Sequence, residues 1–173
     1  MKDSIIKQAT LSDLNAIIEI SHTTFAETFA HLNKKEDIDH YLTNNFSESN
    51  LAKEINDPDS FFYLIFQDKE VAGYLKLNVL AAQTEKAHSS ALEIERIYVS
   101  AKYHGRRFGK KLLTKALEIA RSLNKDYVWL GVWEKNEKAI NFYIKNNFVR
   151  FGEHAFQLGE DEQTDYLYKL KIK

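Results

Sequence analysis

The spacing of apolar positions changes repeatedly along the chain, and each change predicts an element. "SIIKQAT" reads as a short strand. Thr10 and Asp13 then form a T-x-x-D capping signal ahead of Leu14, Ile17, Ile18 and Ser21, which share one helical face. Two further helical pieces are predicted over residues 36–45 and 48–56. The second stops at Asp57-Pro58, because a residue before proline is pushed out of the helical region. "FFYLIFQ" and "VAGYLKLNVL" are rich in aromatic and β-branched residues, and the polar "DKE" between them predicts an antiparallel hairpin. "AQTEKAHSSA" is a polar loop, and "LEIERIYVS" alternates into a strand. Leu112, Leu113, Ala116, Leu117 and Ala120 recur at helical spacing. "YVWLGVW" reads as a buried strand, residues 137–146 as a second late helix and "TDYLYKLKI" as a closing strand. The result is a mixed α/β order, with strand–helix–strand–helix–strand in the second half and no internal repeat or linker.

Composition narrows this picture. A chain of 173 residues, 44% hydrophobic and 13% aromatic, suits one well-packed domain rather than two or a disordered chain. A net charge of -1 gives no bulk attraction to nucleic acid or to an anionic membrane, so neither is expected as a partner. There is no cysteine, which excludes thiol nucleophiles, disulfides and cysteine metal sites and suits a reducing cytoplasm. "MKDSIIKQATLSD" has only two adjacent apolar residues, so no signal peptide is expected, and no apolar run approaches the roughly 18 residues of a membrane span. A soluble, cytoplasmic single domain is the expectation. The six histidines show no H-x-x-x-H spacing, so no metal is expected.

Candidate chemistry enters at "YHGRRFGKKLL". A strand ends at Val99-Ser100 and a helix begins near Arg107 to Gly109, so free N–H groups and the positive end of a helix dipole meet there and suit an anion such as a pyrophosphate. Gly105 and Gly109 allow close backbone approach, and Arg106, Arg107 and Lys110 add positive charge. By itself the stretch reads equally as a basic turn that starts a helix.

The neighbouring residues favour the first reading. "IERIYVSAKYHGRRFGKKLL" followed by "WLGVWEKNEKAINFYIKNNF" resembles the two central motifs of the GNAT (Gcn5-related) N-acetyltransferase superfamily. "LEIERIYV", "WLGVWEKNE" and "GEDEQTD" look most like the PaiA-type polyamine N-acetyltransferases. The resemblance implies a single domain over residues 1–173 of α/β (α+β) class. Its central sheet is mixed and mostly antiparallel, has two splayed parallel strands, and is flanked by helices. It also implies acetyl-CoA as cosubstrate, a small cationic amine as acceptor and room for a homodimer. The family loop Arg/Gln-x-x-Gly-x-Gly/Ala maps onto His104, Gly105, Arg106, Arg107, Phe108 and Gly109, with Lys110 following. His104 and Arg107 depart from it: Arg107 stands where the first motif glycine is usual. The family's Asn-x-x-Ala-x-x-x-Tyr maps onto Asn136, Ala139 and Tyr143.

By the same resemblance, Ile97, Tyr98 and Val99 pair the pantetheine arm, and Leu130 and Gly131 line the opposite wall. Glu95 occupies the position from which a carboxylate takes the amine proton, and Glu93 lies two residues earlier, on the same strand face unless a bulge intervenes. The plainer reading of either is a strand carboxylate paired with Lys or Arg. Tyr143 is a plausible acid for the departing sulfur; without the motif a tyrosine on an amphipathic helix is core packing. Asn136 reads as a helix N-cap that also presents an amide to the cofactor. Glu27, Asp37, Asp39 and the "GEDE" turn are further acids available to a second ammonium, and "GEDEQTD" reads either as a solvated turn or as an acidic rim that helps draw in a cationic substrate. The rival functions are acetylation of a protein N-terminus or lysine, and a non-catalytic coenzyme A sensor.

Overall fold

The computed structural model of the chain describes residues 4–85 and 89–173. The middle of the polar loop "AQTEKAHSSA", with His88, lies outside the described residues, as do the first three residues of the N-terminal stretch. Strand β1 (Ser4–Gln8) leads through a 3₁₀ turn into helix α1 (Leu14–Phe29). The predicted capping pair closes that entry, since the Thr10 amide donates to the Asp13 carboxylate at 3.0 Å. Helices α2 (Lys35–Asn45) and α3 (Glu48–Asn56) follow, the latter capped by the Ser47 hydroxyl, which accepts from the Asn50 amide. The hairpin of β2 (Ser60–Gln67) and β3 (Glu70–Asn78) turns at Asp68, in left-handed backbone with φ 56°. Then come β4 (Ala91–Val99), α4 (Phe108–Ser122), β5 (Tyr127–Trp133), α5 (Glu137–Lys145), β6 (Val149–Leu158) and β7 (Asp161–Lys171).

The strands form one seven-stranded sheet in the order β1-β2-β3-β4-β5-β7-β6. Every neighbouring pair is antiparallel except β4 with β5. The mixed, mostly antiparallel sheet flanked by helices agrees with the sequence expectation. Strand β6 does not appear in that expectation. It is an edge strand, it carries Arg150, Glu153, His154 and Gln157, and most of it is exposed, so its apolar alternation is faint. "GEDEQTD" is correspondingly more than a turn: from Asp161 onward it is strand β7.

Each face of the sheet buries its own core. Leu112, Leu113 and Ala116 of α4 pack on Leu92, Ile94, Val128 and Leu130. On the other face Ile17, Phe25, Ile38 and Leu51 from α1 to α3 pack on Phe62, Leu64, Tyr74 and Trp133. Burial of that many large side chains contributes roughly 1.5–3 kcal/mol for each one, which holds both helical layers to the sheet and fixes the gap between them.

Candidate active site

The parallel ladder ends at Glu93↔Trp129, although β4 runs on to Val99 and β5 to Trp133. The strands therefore splay, and the gap opens into a cleft of about 1190 Å³ with walls on both faces of the sheet. A bulge sharpens the arrangement. Lys76 pairs with Arg96 and Leu77 with Ile94, so Glu95 is an extra residue in β4. Past the bulge Ile97 and Val99 pack toward α4, while Tyr98 turns to the α1 side and stacks on Tyr74 with ring centroids 6.0 Å apart.

At one end of the cleft is the N-terminus of α4. Gly105 and Arg107 both hold left-handed backbone, at φ 79° and 64°. This explains why a glycine suits the second position: a side chain there strains the backbone by roughly 1 kcal/mol. His104 bridges two elements, its Nε2–H donating to the Val99 carbonyl at 2.8 Å and its Nδ1 accepting from Lys138 Nζ at 3.0 Å. Arg107, Lys110 and Lys138 line the cleft here, and Lys110 also bonds the Asn146 side chain. Arg106 turns away and lies over the Tyr103 ring, 5.4 Å from its centroid. A helix N-terminus, left-handed loop backbone and three lysine or arginine side chains fit a pyrophosphate. Arg107→Gly is expected to raise the melting temperature by relieving the backbone, yet to weaken acetyl-CoA binding through lost charge. Tighter binding in titration calorimetry would show instead that the arginine crowds the site.

The other end is acidic. Glu93 is 2% exposed; its carboxylate accepts from the Thr84 hydroxyl at 2.5 Å, the Thr84 amide at 2.9 Å and Asn78 at 3.1 Å. Burial pushes its pKa up, against the pull of those hydrogen bonds. Glu95 meets Lys76 at 2.5 Å, Arg96 at 2.9 Å and Asn78 at 2.5 Å. Burial works to raise it too, but the charges of Arg96 and Lys76 prevail and hold it below the usual carboxylate range. Glu54 of α3 completes the network, taking Arg96 at 2.7 Å and Lys76 at 3.1 Å. The bulge thus brings both strand carboxylates to one asparagine with opposite pKa shifts.

Tyr143 of α5 is 6% exposed and also lines the cleft. Burial alone drives its phenol far above the ordinary tyrosine range, so it keeps its proton at every working pH. Asn136 caps α5, accepting from the Ala139 amide at 3.1 Å, and also lines the cleft.

The cleft brings together Glu93, Glu95, Ile97, Tyr98, Val99, His104, Gly105, Arg107, Phe108, Gly109, Lys110, Asn136 and Tyr143. Leu130, 1% exposed, sits in the core beneath α4, and Gly131 is at the wall in its place. Of the extra acids, Glu27 reaches the cleft, where it caps the Ala101 amide at 2.8 Å. Asp37 lies against Gly159 in the β6–β7 turn, and Asp39 pairs with Lys35, so neither faces the cleft. Residues not singled out in the sequence also line it: Lys138, Trp133 and His154; Asp165, the last acid of "GEDEQTD", does so too, from strand β7. His154 depends on strand β6 and its register, which "HAFQLGEDEQTD" signals only through Gly159 between two weakly alternating runs. Among the described residues no group of His, Asp and Glu is placed to hold a metal ion, and no helix is long and apolar enough to cross a membrane.

A basic loop at a helix N-terminus, a split parallel pair and a set of carboxylates fit the class that the sequence resemblance implies, a transferase taking its acyl group from a phosphate-bearing thioester cofactor. The sequence profile of the acetyltransferase (GNAT) family matches residues 15–148, and the chain belongs to that family. It is 48% identical, over 96% of both chains, to the "Uncharacterized N-acetyltransferase in pepI 3'region" of Lactobacillus delbrueckii subsp. lactis. The spermidine N(1)-acetyltransferase of Thermoplasma acidophilum is 26% identical over 97% of each chain. A crystal structure of a PaiA N-acetyltransferase from Thermoplasma acidophilum in complex with coenzyme A shares the fold, with a TM-score of 0.81 and 24% identity over 98% of this chain and 99% of that one. The chain is an acetyl-CoA-dependent N-acetyltransferase.

Proposed function

We propose that the acceptor is a primary amine of a polyamine such as spermidine or spermine, and that all of residues 1–173 serve this reaction as one domain in the cytoplasm. The observation that carries the reading is the polarity of the cleft: Arg107, Lys110 and Lys138 line the α4–α5 end, and Glu93, Glu95 and Asp165, with Arg96 and His154 set among them, line the opposite end. Such a cleft holds a polyanionic cofactor at one end and draws a cation to the other, more weakly as salt rises.

Acetyl-CoA supplies an acetyl group activated as a thioester. The free edge of β4 from Ile97 to Val99, and the loop from His104 to Lys110, orient its arm and phosphates. Glu95 receives the proton that the ammonium must lose before attack, through water or directly, with Glu93 as the second carboxylate at the same asparagine. Tyr143 offers its phenolic proton on the sulfur side.

Steady-state kinetics with spermine, spermidine, putrescine, a simple alkylamine and N-terminal peptides test the acceptor. Polyamines are expected to lead in kcat/KM. Peptides well ahead of every polyamine would give the reaction to protein acetylation, and no turnover with any amine would leave a coenzyme A sensor. Gly109→Val tests the cradle. A Cβ at 109 approaches only Phe142, at 3.9 Å, so the variant is expected to fold, and a valine on this cleft-lining position is expected to crowd the phosphates. Acetyl-CoA affinity should fall by about tenfold for each 1.4 kcal/mol lost, and unchanged affinity by calorimetry would move the phosphates elsewhere.

A further inference from the structure

Trp133, Asp165 and His154 are direct cross-strand partners on β5, β7 and β6. Residues opposed in an antiparallel register project from the same face, so the three form a row across the sheet. All three line the cleft on the side of α1 and α2. Gly131, one step along β5 on that face, leaves room for the carboxylate, since a Cβ there would touch Asp165 Oδ2 at 3.4 Å. Asp165 therefore stands next to β5 on the far side of the gap from β4, lining the same cleft as Glu93 and Glu95.

We propose that Asp165 is the specificity-determining residue of the acceptor site, and that its carboxylate receives the second ammonium of a di- or polyamine whose first nitrogen is acetylated. The inference rests on the polyamine reading above and names where the distal charge binds.

The three acids of the acceptor end differ in what already fills them. The oxygens of Glu93 accept from Thr84 and Asn78, and those of Glu95 from Lys76, Arg96 and Asn78. Among the described residues the cation facing Asp165 is His154, whose Nε2 stands 3.6 Å from Oδ2, longer than a firm hydrogen bond. A carboxylate accepts about four hydrogen bonds, so Asp165 retains capacity for an ammonium. His154 is shared with Glu85, which it meets at 2.9 Å, so two carboxylates stand against one imidazole. The nearby Asp165 carboxylate, opposed by burial and aided by Glu85, raises the His154 pKa to about 9. Even with His154 charged, one negative charge remains for a ligand. The nearby Lys135 is exposed, 5.7 Å from the Trp133 ring centroid, where water screens it.

A second observation concerns Trp133. It is 4% exposed on the cleft wall, and its indole Nε1–H has no partner among the described residues. That donor is left for an acceptor atom such as a water oxygen, while the ring itself packs on Phe29, with centroids 5.3 Å apart, and carries Lys135 Nζ 5.7 Å from its centroid.

The experiment compares spermidine with an unbranched alkylamine of the same length, reading the ratio of their kcat/KM values. Both share one acetyl donor, so effects on the cofactor cancel in the ratio. Wild type is expected to favour spermidine, and Asp165→Asn should lower the ratio about tenfold or more, as for loss of a hydrogen bond to a charged group. His154→Gln removes the competing cation and should raise the ratio. These opposite signs separate a charge subsite from a structural role, in which both variants would lower it. A wild type without preference for spermidine overturns the polyamine reading itself. A wild-type preference that survives Asp165→Asn, or that falls in both variants, overturns the Asp165 assignment alone.

Discussion

Tyr143→Phe is expected to lower kcat by roughly 10²–10⁴, the loss typical of a removed general acid, while leaving the KM for acetyl-CoA nearly unchanged. The substitution is structurally mild. Tyr143 packs edge-on against Phe142 and Phe148, with centroids 5.4 and 5.7 Å away, and a phenylalanine ring keeps both contacts. What disappears is one O–H on the cleft wall. Because burial raises the phenol's pKa, Tyr143 remains protonated well above pH 10, so any basic limb in the wild-type kcat profile comes from another group. A variant that keeps full kcat, with chemistry shown to be rate-limiting, would return Tyr143 to a packing role.

Glu95→Gln is expected to remove most activity below about pH 9, with part recovered at higher pH as the free-amine fraction rises towards the alkylammonium pKa of roughly 10.4. The two neighbouring carboxylates are separable by the sign of their shifts. Glu95 is depressed, so as proton acceptor it stays competent down to a pH below the ordinary carboxylate value. Glu93 is raised, and as base it would end activity at a pH above that value. The acidic limb of the wild-type kcat/KM profile therefore identifies the base, and a limb above the ordinary value transfers the role to Glu93. Stability follows the same signs. The ionised Glu95 contributes above its unfolded pKa, and that contribution is lost as pH falls through its lower folded value. Glu93 works in the opposite sense: its folded state favours the proton, and it costs stability as pH rises from the unfolded value through the raised one. In Glu95→Gln the mostly buried Lys76 and Arg96 keep only Glu54 as a charged partner, so a lower melting temperature should accompany the kinetic loss.

The sequence by itself determined the elements with strong local patterns. The Thr10/Asp13 capping box, the Asp57-Pro58 stop, the hairpin around "DKE" and the α4 stripe of Leu112, Leu113 and Ala116 are set by neighbours within a few residues, so they were legible without the fold. The glycine loop at a helix N-terminus and the Asn136 to Tyr143 spacing became informative only through the family resemblance, and both lie on the cleft that the splayed strands open. What only the tertiary structure decided involves partners distant in the chain. The bulge at Glu95 depends on how β4 pairs with β3, and it decides that Glu93 and Glu95 share Asn78 while carrying opposite pKa shifts. Whether an acid reaches the cleft is likewise a matter of packing: Asp37 is taken up against Gly159, while Asp165 is delivered by the register of β7 between β5 and β6. β6 has too faint an alternation to announce itself, because an exposed edge strand needs only one apolar face and is held largely by its hydrogen bonds to β7.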